Sequence, residues 1–286
     1  MTLPLVAGFR HAPSGTMSYV VTCPETRDCA IIDSVLDYDP AAARIATTAA
    51  DHIADHVARE GLHVVWHLET HVHADHLSAM AHLKCRLGGK TGIGDRIDEV
   101  QAVFARLFNI ESDFVADGRQ FFHLFRPDEP IAIGKLEGRV IHTPGHTPSC
   151  VSYLIGDAVF VGDTLFMPDS GTARCDFPGG NAAELWHSIQ RLYQLPGETR
   201  VFICHDYAHN RPAAWEATIV AQRMGNIHLR AVTPLDEFVA LREARDATLG
   251  LPALILPSVQ INIRAGEPPE PEANGVAYLK IPLDRL

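Results

Sequence analysis

Apolar and polar positions along the chain follow two rhythms, and each change of rhythm marks an element. Residues 17–23 and 29–35 are short β-branched runs either side of a Pro-Glu-Thr-Arg-Asp turn, which predicts a hairpin. Helical spacing runs through 41–60 and stops near Gly61; 77–87 and 96–108 predict further helices, the first closed by Gly88-Gly89. Residues 63–69 (HVVWHLE) read as a buried strand that enters a histidine-rich loop. Strands are expected at 138–143, 150–155, 158–161 and 200–204, and Asn181 is expected to cap a helix over 182–195. Helical spacing returns over 212–224 and 235–244. Beyond Pro252 the text is proline-rich with β-branched islands at 258–264 and 276–282. This alternation predicts a layered α/β fold, with residues 1–230 as one catalytic domain and 231–286 as an extension packed on it.

The polar clusters sit just after the expected strands, where a rigid sheet presents side chains into a shared cleft. His71-Val-His73-Ala-Asp75-His76 places three imidazoles and a carboxylate within six residues, a donor set suited to Zn²⁺ or Fe²⁺. His146, Asp163 and His205 follow, each at the end of an expected strand. A single histidine is more often a surface or hydrogen-bonded core residue; this ordered set is not explained that way.

Charge and composition narrow the field. The 286 residues are 47% apolar, enough for a large core, and no Ser/Gly-rich linker or internal repeat divides them. A net charge of −11 argues against a nucleic-acid partner. The first ten residues do not read as a signal peptide, and no apolar run of about 20 residues exists, so a cytoplasmic protein without a membrane partner is expected. Six scattered cysteines then read as free thiols.

The order H-x-H-x-D-H, His, Asp, His over residues 14–210 resembles the metallo-β-lactamase superfamily. That resemblance implies a four-layer αβ/βα sandwich with its metal site at one edge of the paired sheets. In the hydrolytic branches it implies two metals, one on His71, His73 and His146, the other on Asp75, His76 and His205, with Asp163 bridging. The segment from Gly171 to Gly180 (GTARCDFPGG) is similar to that of the persulfide dioxygenases, as are His205-Asp206-Tyr207, residues 224–228 and residues 255–266. This second resemblance implies one Fe(2+) per chain on His71, His146 and Asp163, with His73, Asp75, His76 and His205 orienting ligands and waters. It implies O₂-dependent oxidation of glutathione persulfide to sulfite and glutathione, in sulfide and persulfide detoxification. Arg174 can grip a substrate carboxylate bidentately, with Asp176 beside it; a salt bridge between the two is the alternative. His205 and Tyr207 are the expected catalytic groups, Tyr207 offering its hydroxyl to the substrate or simply packing. The rival reading is a glyoxalase II-like dinuclear hydrolase of glutathione thioesters. A homodimer or higher homo-oligomer stays open.

Overall fold

In the computed structural model, residues 2–111, 114–207 and 210–285 are described. The first half contains strands Leu5–Arg10 (β1), Met17–Thr22 (β2), Asp28–Ile32 (β3), Val35–Asp39 (β4) and Arg44–Ala46 (β5), then helix Thr48–Arg59 (α1). Next come His63–Leu68 (β6), Leu77–Ser78 (β7), Met80–Leu87 (α2), Lys90–Gly94 (β8), Ile97–Leu107 (α3) and His123–Phe125 (β9). The second half holds Pro130–Ile133 (β10), Leu136–His142 (β11), Val151–Ile155 (β12), Ala158–Phe160 (β13), Ala182–Leu192 (α4) and Arg200–Phe202 (β14). Glu216–Thr218 (β15), Ile219–Gly225 (α5), Leu235–Asp246 (α6) and Ile255–Asn262 (α7) complete it.

Two six-stranded sheets form, in the orders β1-β2-β3-β6-β8-β9 and β10-β11-β12-β13-β14-β15, with a small β5-β4-β7 sheet beside them. Strand β2 shows how the layers arise from the period of two. Met17, Tyr19 and Val21 face the second sheet and meet Tyr153, Phe160 and Phe202, while Val20 faces outward onto Ile53, Val57 and Leu83 of α1 and α2. On the other side, Leu185 and Ile189 of α4 and Phe238 of α6 cover Ile141, Val159 and Val201. The result is the expected helix–sheet–sheet–helix sandwich. In α1 the buried set Ala50, Ile53, Ala54, Val57 keeps helical spacing, and each large side chain so buried contributes about 1.5–3 kcal/mol.

The expected 17–35 hairpin is present, with Tyr19 paired to Ile32 and Thr22 to Cys29. Asn181 caps α4, its side chain accepting from the Glu184 amide at 3.0 Å, although the helix ends at Leu192, three residues early. Four expectations need correction. Residues 41–60 are not one helix: Arg44–Ala46 pairs with β4, and α1 starts only at Thr48, where the Asp37 carboxylate accepts from the Ala49 amide at 2.8 Å. Leu77 and Ser78 likewise pair with β4 before α2 begins. Glu216–Thr218 is an edge strand on β14, and Thr218 then caps α5. The island at 258–264 (SVQINIR) alternates polar and apolar residues as a strand would, yet it is mostly helix α7, where Ser258, Gln260 and Asn262 are buried along with Val259 and Ile261, so tertiary packing overrides the local pattern. Residues 276–282 form no helix or strand. No helix among the described residues is long and apolar enough to cross a membrane.

Candidate metal centre

Four chain segments leave the same edge of the sandwich. The 69–76 loop follows β6, His146 follows β11, Asp163 follows β13 and His205 follows β14. Close approach of these loops needs glycine at Gly162, whose φ of 53° favours it and where a Cβ would collide with the Thr70 hydroxyl.

His71, His146 and Asp163 converge, with one donor atom from each within 4.8 Å of the others. The Nε2 atoms of His71 and His146 lie 4.0 and 3.8 Å from Asp163 Oδ2. Each imidazole is fixed from behind. His146 Nδ1 donates to the Arg174 carbonyl at 2.8 Å. Thr70 Oγ1 donates to Asp33 Oδ2 at 2.8 Å, so its lone pair is left to accept from His71 Nδ1 at 3.0 Å. Both rings are thereby held in the tautomer that aims a bare Nε2 at Asp163, the arrangement a metal-ligating histidine requires. Burial, and then the neighbouring His73 and His146, press the His71 pKa well below its usual value, which keeps the ring neutral. His71 Nε2 and Asp163 Oδ1 are buried and make no hydrogen bond. Two buried polar atoms without partners on converging ligand residues fit a bound cation.

His73, the second histidine of the motif, behaves differently. Its Nε2 lies 3.1 Å from Asp33 Oδ1 and 3.2 Å from Glu69 Oε2, all three groups buried. Burial works against charge on this ring, but Asp33 outweighs it and raises the His73 pKa well above normal. Asp75, His76 and His205 form a second grouping beside the first. Asp75 Oδ2 lies 3.1 Å from His76 Nδ1, 3.5 Å from His205 Nε2 and 3.0 Å from the Thr16 hydroxyl that donates to it. His205 Nε2 is also 3.5 Å from Asp163 Oδ1, which joins the two groupings. His76 Nε2 is buried without a hydrogen bond.

These groups floor a cavity of about 1120 Å³. Its walls include Phe166, Arg174, Phe177, Tyr207, Arg44 and Arg245, and residues 249–254 from the C-terminal extension. Tyr207 is half exposed at the rim, its ring edge-on to Phe166 at 5.1 Å. Arg174 lies over the Phe177 ring at 4.8 Å, but its guanidinium binds both Asp176 oxygens at 2.5 Å and the Gly250 carbonyl at 2.6 Å. The expected two-residue grip on substrate is therefore an internal pair in this structure. Asp176 does not line the cavity.

Residues 11–205 match the metallo-beta-lactamase superfamily. The chain belongs to that superfamily. It is 51% identical to a probable metallo-hydrolase of Burkholderia pseudomallei over 98% of this chain and 99% of that one. It is 48% identical to glyoxylase B2 of Dictyostelium discoideum, over 97% and 96% of the two chains. Human persulfide dioxygenase ETHE1 is 29% identical over 68% of this chain and 65% of its own. The crystal structure of ETHE1 from Myxococcus xanthus superposes with a TM-score of 0.73 at 29% identity, covering 92% of this chain and all of the other.

Several residues that hold the centre were not among those expected from the sequence: Asp33, Glu69, Thr70, the Arg242–Asp246 pair and Asn262. Arg242 and Asp246 are buried, paired at 2.7 Å, and grip the Thr172 carbonyl and the Cys175 amide on either side of Arg174. A polar residue ending an apolar strand, as Asp33 does, or interrupting Ile261-Asn262-Ile263, is the signal that would have found two of them.

Proposed function

We infer that this enzyme oxidises glutathione persulfide with O₂ at a mononuclear Fe(II) centre on His71, His146 and Asp163. Glutathione persulfide, O₂ and water give glutathione, sulfite and two protons. The observation that carries the reading is the triad itself: two imidazoles locked in the Nε2-facing tautomer and one carboxylate, converging from three loops. Two histidines and one carboxylate on one face is the donor set of non-haem Fe(II) oxygenases. An Fe(II) held there would supply the redox chemistry that O₂ and a persulfide sulfur require. The 171–180 segment and the likeness to ETHE1 over 92% of the chain support the same branch.

The protein's own groups divide the remaining work. Thr70 and the Arg174 carbonyl fix the two imidazoles, and Asp163 supplies the neutralising charge. Phe166 and Phe177 give the cavity dry walls beside His205 and His146. The two cavity arginines with no ion-pair partner among the described residues, Arg44 and Arg245, suit the two carboxylates of glutathione, with the Arg174–Asp176 pair bracing the wall. His205 on the floor and Tyr207 at the rim are in reach of the reacting end of a substrate.

A second reading has its own support. Asp75 lies 3.1 Å from His76 and 3.5 Å from His205, a further donor set beside the triad, and relatives at 48–51% identity are named glyoxylase B2 and probable metallo-hydrolase. A dinuclear thioesterase would use that set for a second ion. The deciding experiment loads the protein with iron anaerobically and follows O₂ uptake and sulfite release with glutathione persulfide. Rapid anaerobic cleavage of S-lactoylglutathione without O₂ uptake would instead establish the hydrolase.

A further inference from the structure

We propose that Asn262, on α7 in the C-terminal extension, is a positioning residue for the metal centre. The claim rests on the metal-centre reading above but not on which metal is bound. The turn that carries His71, His73, Asp75 and His76 is poorly held by its own backbone. Outside regular helices and strands, no backbone–backbone hydrogen bond among the described residues reaches residues 71–76. Asn262 supplies the missing partners. Its Nδ2 donates to the carbonyls of His73 and His76, both at 2.8 Å, and its Oδ1 accepts from the Ser78 amide at 2.8 Å. With carbonyls on one side and an N–H on the other, the amide has one satisfying orientation, and an aspartate could not replace it.

The consequence is mechanical. The strand end of the turn is anchored by the Glu69 amide on the Gly92 carbonyl at 3.0 Å and the Thr70 amide on Asp33 at 2.7 Å. The far end is anchored on Asn262, which is itself buried. Buried carbonyls must find donors, so losing this amide leaves two unsatisfied and lets the turn seek another path. The ligand positions between the anchors would shift with it. Asn262 lies well beyond residue 205, where the superfamily match ends, so the extension completes the site.

The test is Co²⁺ titration of the full chain, read by its visible spectrum and by competition with a chelator, with Tm measured on the metal-free protein. Asn262→Ala is compared with Asn262→Ser, whose hydroxyl can still reach one carbonyl, and with Val259→Ala. Val259 is buried on the same helix, in the apolar cluster that includes Val72 of the ligand loop, but makes no hydrogen bond to that loop, so it separates lost packing from the lost amide. Outer contacts to metal ligands typically carry 10- to 100-fold in affinity. Asn262→Ala is expected to weaken Co²⁺ by about that factor, Asn262→Ser by less, and Val259→Ala by clearly less than Asn262→Ala despite its loss of Tm. Equal Co²⁺ affinity in all variants, or a Val259→Ala loss matching that of Asn262→Ala, overturns the proposal. Should Asn262→Ala not fold, a Ser variant that binds Co²⁺ like the parent is enough to refute it. A parent chain that binds no Co²⁺ refutes the metal-centre reading instead.

Discussion

Replacing Thr70 with valine tests whether the tautomer of His71 is held from behind. The two side chains are nearly the same size, and Thr70 is buried, so the substitution removes a hydroxyl and little else. That hydroxyl links Asp33 Oδ2 at 2.8 Å to His71 Nδ1 at 3.0 Å. Without it the buried Nδ1–H has no acceptor, and Asp33 keeps its bonds to the Thr70 amide at 2.7 Å and its contact with His73 at 3.1 Å. A buried donor left unpaired costs about 1–3 kcal/mol. His71 escapes that cost by turning the proton to Nε2, which then cannot bind a cation. Metal affinity should therefore fall by roughly 5- to 150-fold, since about 1.4 kcal/mol is a factor of ten. Chelator competition for Fe(II) under argon measures this directly, and thermal unfolding of the metal-free protein measures what is lost to the fold. An unchanged dissociation constant, with a normal Tm, would mean that Thr70 does not orient His71.

Asp163→Asn should release iron from the freshly prepared protein, because it removes the only carboxylate of the triad; full iron by elemental analysis would dismiss the ligand assignment. Arg44→Ala and Arg245→Ala should each raise KM for glutathione persulfide about 2- to 5-fold at constant iron content, the range of an exposed charge contact; KM values identical to the parent would place the substrate carboxylates elsewhere. Arg174→Ala and Asp176→Asn should have similar effects on KM that do not add in the double variant, since the pair acts as a unit; additive losses would show that Arg174 contacts substrate independently. Burial holds both His67 and His228 at a pKa of about 4, the latter helped by Arg242 and Arg245. The unfolded chain binds these protons first, so stability is full above about pH 6.5 and is lost as pH falls toward 4. Urea midpoints of the metal-free protein at pH 7 and 5 should show that loss, and a midpoint independent of pH would contradict it.

The convergence of His71, His146 and Asp163 was legible because the chemistry concentrates in one short motif and in strand ends whose apolar approach is plain: HVVWHLE before His71 and AVFVGD around Asp163. The four-layer sandwich was implied by the resemblance those motifs carry; β2 by itself is buried at all six positions and shows no alternation. Other features were hidden for definite reasons. Arg44–Ala46 and Glu216–Thr218 are strands only because a neighbour pairs with them, and three residues carry too little pattern to say so. Helix α7 hides its period because Ser258, Gln260 and Asn262 are buried along with its apolar residues, so polarity does not mark an exposed face. The Arg174–Asp176 pair was visible as an alternative, and distance decides it: two bonds of 2.5 Å from residues two apart leave the guanidinium little to offer a ligand.

Asp33 carries a different lesson, since a buried carboxylate is costly unless every lone pair is used. Its side chain accepts from the Thr70 amide and hydroxyl and meets His73, and the Asp33 carbonyl accepts from Ser18 at 2.7 Å. One residue at the end of β3 thus sets the orientation of His71 through Thr70 and draws the Nε2 edge of His73 toward the core. The 172–175 turn does the corresponding work for His146: Arg242 and Asp246 of α6 hold it, and its Arg174 carbonyl takes the His146 proton. Each imidazole of the triad is therefore oriented by a backbone or hydroxyl acceptor that is itself pinned by a buried charge. Such a chain of fixed acceptors suits a centre whose ligands must stay in place while small molecules exchange in front of them.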